Sequence, residues 1–126
     1  MNSIKMMIVD DSMLIRRQIS RLSDHDVFDI VAEAKNGHEA IQLFEHHRPQ
    51  VVTMDITMPQ LDGIACTSRI IAIDPKVQIL IVSALSSREI GIQALQNGAT
   101  GFLNKPFNEE QLQTALSTVK RGVAVQ

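Results

Sequence analysis

Short, almost wholly apolar runs alternate along the chain with segments whose apolar residues recur every three to four positions. The short runs are "IKMMIV" (4–9), "FDIVAEA" (28–34), "VVTM" (51–54), "VQILIVS" (77–83) and "GFLN" (101–104). Such runs predict strands, the continuous ones covered on both faces. Between them the period lengthens. In "DSMLIRRQISRL", Ile15, Ile19 and Leu22 share one helical face, as do Ala40, Ile41 and Phe44 in "HEAIQLFEHH", which Pro49 stops. Asp62-Gly63 starts a third helix carrying Ile64, Ile70 and Ile71 and ending at Asp74-Pro75. Residues 86–97 predict a weaker helix, interrupted by Gly91 and closed by Asn97-Gly98. Asn108 is a good N-cap for a last helix with Leu112, Ala115, Leu116 and Val119 on one face. The final "GVAVQ" reads as a frayed tail or a linker stub.

Five strands alternating with five helices predict an α/β fold of βαβ units around a parallel sheet. Right-handed crossovers leave few topologies, and the (βα)5 flavodoxin-like strand order 2-1-3-4-5, with helices on both faces, is the natural one for this size. Nothing divides the chain, so one domain over residues 1–126 is expected.

That fold gives the polar residues their meaning, because ligands of open α/β sheets bind at the carboxyl ends of the strands. Asp10 and Asp11 follow the first strand, Asp55 the third and Lys105 the fifth, and Ser83 ends the fourth. Clustered carboxylates repel and call for a cation. Mg²⁺ suits them, since it binds through one or two carboxylates, waters and phosphate oxygens. A carboxylate can also attack phosphorus to give an aspartyl phosphate. Phosphoryl transfer then needs mainly positioning and charge neutralisation, which Mg²⁺, Lys105 and the Ser83 hydroxyl would supply. Asp55, on the middle strand, is the best nucleophile. An Asp after a strand is commonly only a cap or turn residue. That account suits Asp62, but for the set it would have to hold at five places at once.

Composition narrows the field. The chain is 44% apolar with a formal net charge of −2, and its only basic doublets are Arg16-Arg17 and Lys120-Arg121, which is no footprint for nucleic acid or an anionic membrane. Trp and Tyr are absent. No apolar stretch approaches the roughly 20 residues of a membrane span, and no signal peptide is visible, so a soluble cytoplasmic protein is expected. The single cysteine, Cys66, excludes an internal disulfide and reads as a small core residue; the four histidines show no metal-ligand spacing.

Taken together, "VDDS" (9–12), "MDITMPQLDG" (54–63), "VSA" (82–84) and "GATGFLNKPF" (98–107) resemble the response-regulator receiver domain of two-component signalling, end to end. The resemblance implies that Asp55 accepts a phosphoryl group from a histidine kinase. It implies Mg²⁺ held by Asp10, Asp11, Asp55 and the Thr57 backbone carbonyl, with Lys105 contacting the phosphoryl group and Ser83 moving toward it. Phe102 stands where the family has a switch aromatic, and Lys105-Pro106 where it usually has a cis peptide. Output would be read from the face of helix four, strand five and helix five, with helix four mobile because Gly91 weakens it by about 1 kcal/mol relative to Ala. Thr57 and Leu85 occupy positions that tune how water reaches the phosphoryl group; Leu85 cannot orient water, so slow self-dephosphorylation is expected. The chain is most like single-domain chemotaxis members of the CheY class, which implies a monomer passing from a CheA-like kinase to a flagellar motor switch protein. Alternatives are the receiver of a longer regulator, a phosphate sink or relay, and a haloacid-dehalogenase-type phosphatase, whose second Asp would have to stand where Thr57 is.

Overall fold

The structure is a computed structural model and describes residues 3–85 and 87–123. Ser86 and residues 124–126, read above as part of a helix and of a tail, lie outside the described residues. The strands are β1 (Ile4–Val9), β2 (Phe28–Ala34), β3 (Val51–Met54), β4 (Gln78–Ser83) and β5 (Gly101–Asn104). The helices are α1 (Met13–Leu22), α2 (Gly37–His47), α3 (Gly63–Ile73), α4 (Arg88–Gln96) and α5 (Glu109–Lys120). All strand pairs are parallel, in the order β2-β1-β3-β4-β5, which is the flavodoxin-like arrangement.

Two apolar layers cover the sheet. Ile19 of α1 and Leu112, Leu116 and Val119 of α5 pack on Met6, Ile8, Val51, Leu80 and Val82. On the other face Ala40, Phe44, Cys66, Ile70 and Ala94, from α2, α3 and α4, pack on Met7, Val9, Val52, Met54, Ile79 and Ile81. Alternate residues of the central strands thus feed opposite layers, which is why those strands read as continuous apolar runs.

Every helix starts on a Ser, Asn or Asp cap. Ser12, Asn36, Asp62, Ser87 and Asn108 each accept a bond from the backbone N–H three residues on, and Gln111 completes a capping box at α5. One helix reading changes, the fourth, while the second stands. The fourth helix is continuous through Gly91, whose N–H bonds the Ser87 carbonyl at 3.2 Å; one glycine costs too little to break a capped helix, and the helix starts later, at Arg88. The second helix ends on Arg48 in the left-handed region (φ 49°), one residue before Pro49. Among the described residues no helix is long and apolar enough to cross a membrane.

Candidate functional site

The chain direction of the crossovers diverges between β1 and β3, so a crevice opens at their carboxyl ends. Backbone bonds carry the strands into it: the Asp55 N–H donates to the Val9 carbonyl (2.9 Å) and the Asp10 N–H to the Ala34 carbonyl (3.0 Å). The loop after Asp55 is pinned from below. Ile56, Met58 and Leu61 sink into the core, and Gly63 packs against the Asp55–Ile56 backbone, its N–H bonding the Ile56 carbonyl (2.9 Å). Only a residue without Cβ permits that approach.

In the crevice the three predicted acids meet. One carboxylate oxygen each from Asp10, Asp11 and Asp55 lies within 4.8 Å of the others, with Asp10 and Asp55 buried and Asp11 exposed. The Lys105 ammonium enters from the carboxyl end of β5, 2.7 Å from Asp10 Oδ2 and 3.5 Å from Asp55 Oδ1. Asp10 Oδ1 accepts from the Ser12 N–H (2.9 Å). The Asp55 carboxyl is pushed up to about 6, first by burial and then by Asp10 and Asp11, against the lowering effect of Lys105 and of a backbone hydrogen bond from Thr57. Three oxygens of this type, hard and close together, are the donor set a Mg²⁺ ion takes, and an acid whose charged form is disfavoured by burial gains most from such a cation.

The other predicted residues stand around this cluster at differing distances. Ser83 is buried at the end of β4, beside the Lys105 backbone, whose N–H donates to the Ser83 carbonyl (2.9 Å). Its hydroxyl accepts from the Leu85 N–H (3.0 Å), and among the described residues no hydrogen bond joins it to Asp55. Thr57 is exposed, at the rim of a groove of about 580 Å³ between α3 and α4 lined also by Ile56, Ile64 and Ile90. Leu85 is exposed, and Phe102 is half-buried against the α2–α4 layer. Lys105-Pro106 is a cis peptide. Asp62 caps α3 and takes no part in the cluster. Cys66 is buried and its thiol donates to the Gly37 carbonyl (3.6 Å); burial pushes it up to about 12, so it is no nucleophile. Among the described residues no histidine joins a metal-ligating group. Sequence reasoning missed Arg16, which donates to the Asp10 carbonyl (2.7 Å). Its position one turn into α1 was the only signal.

The response regulator receiver domain model matches residues 6–117. The chemotaxis protein CheY of Listeria monocytogenes is 37% identical over 113 residues, spanning 90% of this chain and 95% of that one. A protein-glutamate methylesterase/protein-glutamine glutaminase of Rhodospirillum rubrum is 42% identical over 105 residues, 81% of this chain but 28% of that protein. Among solved structures, the CheX–CheY–BeF₃–Mg²⁺ complex of Borrelia burgdorferi superposes with a TM-score of 0.89 at 31% identity, covering 93% of this chain and 89% of that one. Strand order, the acid cluster and sequence likeness over most of the length agree, and the chain belongs to the response-regulator receiver domain family.

Proposed function

We propose that the chain, one receiver domain over residues 1–126, is the phosphoacceptor of a two-component system and that Asp55 takes the phosphoryl group. The observation that supports this best is the meeting of Asp10, Asp11, Asp55 and Lys105 at the β1/β3 crevice. An Asp55 carboxylate oxygen attacks the phosphorus of a phosphohistidine on a kinase; the P–N bond breaks, and the imidazole leaves with its electron pair. Asp10, Asp11, Asp55 and the Thr57 carbonyl would hold Mg²⁺, which when bound neutralises charge on the phosphoryl oxygens. Lys105 shares that task, and Ser83 would give its hydroxyl proton to a phosphoryl oxygen. The chain acts as a signalling protein and its chemistry is confined to its own phosphorylation and dephosphorylation. Phosphorylation favours one of two states, read through Phe102 and the face of α4, β5 and α5. Likeness to CheY proteins over nearly their whole length supports a cytoplasmic, monomeric chemotaxis role, with a CheA-like kinase as donor and a flagellar motor switch protein as target.

The test is to incubate the protein with a small phosphodonor and Mg²⁺ and take the intact mass. One added phosphoryl group is expected, absent in Asp55→Asn and absent with chelator. An unmodified wild type, or a modified Asp55→Asn, overturns the assignment. Pull-down with and without beryllofluoride then identifies the target. The 42% identity to a stretch of a much longer methylesterase favours a second reading, a receiver regulating an attached output domain; capture of a motor switch protein by the beryllofluoride form would decide against it.

A further inference from the structure

Asp10 is held more completely than the other two acids. Its N–H donates to the Ala34 carbonyl, its Oδ1 accepts from the Ser12 N–H and its Oδ2 from Lys105. Its carbonyl oxygen is taken as well, by Arg16 Nη1 at 2.7 Å. The Arg16 side chain is only 16% exposed, and its Nε lies 3.4 Å from Oε1 of Glu33, next to last in β2. One guanidinium therefore ties α1, the end of β1 and the end of β2 together, and neither Arg16 nor Glu33 belongs to the acid cluster.

A second cation is out of place here on electrostatic grounds. Lys105 already faces Asp10, and a positive charge near a site that takes a dication lowers the dication's affinity. What Arg16 offers instead is direction. The carbonyl it grips belongs to the peptide joining Asp10 to Asp11, so the bond sets the plane of that peptide. Asp11 is exposed and makes no side-chain hydrogen bond among the described residues, so this backbone alone aims its carboxylate. A charged donor gives a bond roughly twice as strong as a neutral one, and the planar guanidinium, with Glu33 on another edge, resists rotation. We propose that Arg16, oriented by Glu33, is a positioning residue that holds the turn between β1 and α1 so that Asp10 and Asp11 meet Mg²⁺ together with Asp55. This rests on the Mg²⁺ site proposed above.

Calorimetric titration of the full chain with MgCl₂ tests it. Arg16→Gln weakens Mg²⁺ binding about tenfold, the usual scale for losing a group that orients a metal ligand. Arg16→Lys keeps part of the affinity, and Glu33→Gln loses a few-fold. The sign is diagnostic, because loss of a positive charge alone would tighten Mg²⁺ binding. A purely structural Arg16 would lower the unfolding temperature and leave the dissociation constant of the folded protein unchanged. In phosphodonor labelling, the Mg²⁺ concentration for half-maximal rate rises by the same factor, while the rate at saturating Mg²⁺ stays near that of wild type. A folded Arg16→Gln that binds Mg²⁺ as wild type does, or more tightly, overturns the proposal. If that variant does not fold, unchanged affinity in both Arg16→Lys and Glu33→Gln overturns it. Folded wild type that binds no Mg²⁺ removes the metal site and this proposal with it; wild type that binds beside unaltered variants removes this proposal alone.

Discussion

Around Asp55 the backbone is bonded to the end of β1, the following loop is anchored by three buried side chains, and Gly63 packs directly on the Asp55 peptide. Around Ser83 the same sheet edge is loose. Leu85 is exposed, α4 buries only Ala94, Ile92 and Leu95 stand 45% and 59% exposed, and no residue of β5 is fully buried. Apolar burial is what resists local opening, so the two sides differ in local stability as well as in shape. The β1/β3 side holds its acids on a well-packed backbone, and the β4/β5 side is packed more loosely. The phosphoacceptor switch proposed above draws on both, and this chain gives them to opposite halves of one edge.

The sharpest way to break the contrast is to disturb the rigid side. A Cβ on residue 63 would fall on the Asp55 carbonyl oxygen and 2.7 Å from Ile56 Cα, backbone atoms that cannot rotate away. Gly63→Ala should therefore cost about 3 kcal/mol in denaturant unfolding and abolish phosphodonor labelling. A wild-type midpoint would show that this side is not rigid.

The electrostatic strain of the rigid side gives the next effect. The folded pKa of Asp55, about 6, lies above the roughly 3.9 of a free carboxyl. Between those values the native state binds the proton more tightly than the unfolded chain does. The stabilisation from the protonated form is fully present below about pH 4 and lost as pH rises through about 6. At pH 7 without Mg²⁺ the charged form costs stability, and Asp55→Asn should gain about 3 kcal/mol. Urea unfolding should show that gain vanish near pH 4; a gain independent of pH would assign it to something other than the charge.

On the loose side, Leu85→Glu should speed loss of the phosphoryl group several-fold, read as decay of the phosphorylated mass, because a polar side chain there can orient water. An unchanged decay rate sinks that role. Smallest is Gly91→Ala. Nothing lies within 4 Å of the Cβ it would add, so it should stabilise by up to about 1 kcal/mol and slow hydrogen exchange in α4. In wild type, α4 amides should exchange faster than those of α5; equal protection would erase the contrast.

Much of this was legible because the chain's punctuation is local. β1, β2, β3 and β5 coincide with the apolar runs read from the sequence, and Asp10 and Asp55 each directly follow such a run. The left-handed turns at Arg48 and Gln60 were not legible, since neither residue type advertises a positive φ. Gly91 misled, because its cost is real but smaller than what a capped, packed helix tolerates. Lys105 was found by its position, yet its closer approach to Asp10 than to Asp55 depends on side-chain reach, which spacing does not encode. Arg16 looked like half of a surface doublet, and only the fold brings it to the Asp10 carbonyl.

The contact between Lys105 and Asp10 spans 95 positions, and that separation sets an order of events during synthesis. The ribosome delivers the three acids first. At roughly 5–20 residues per second, the stretch from Asp55 to Lys105 takes roughly 3–10 s to follow. Until then the nascent chain carries a triad of carboxylates without its ammonium and a sheet without β5. An interrupted chain therefore holds the three acids without the ammonium that offsets their mutual repulsion.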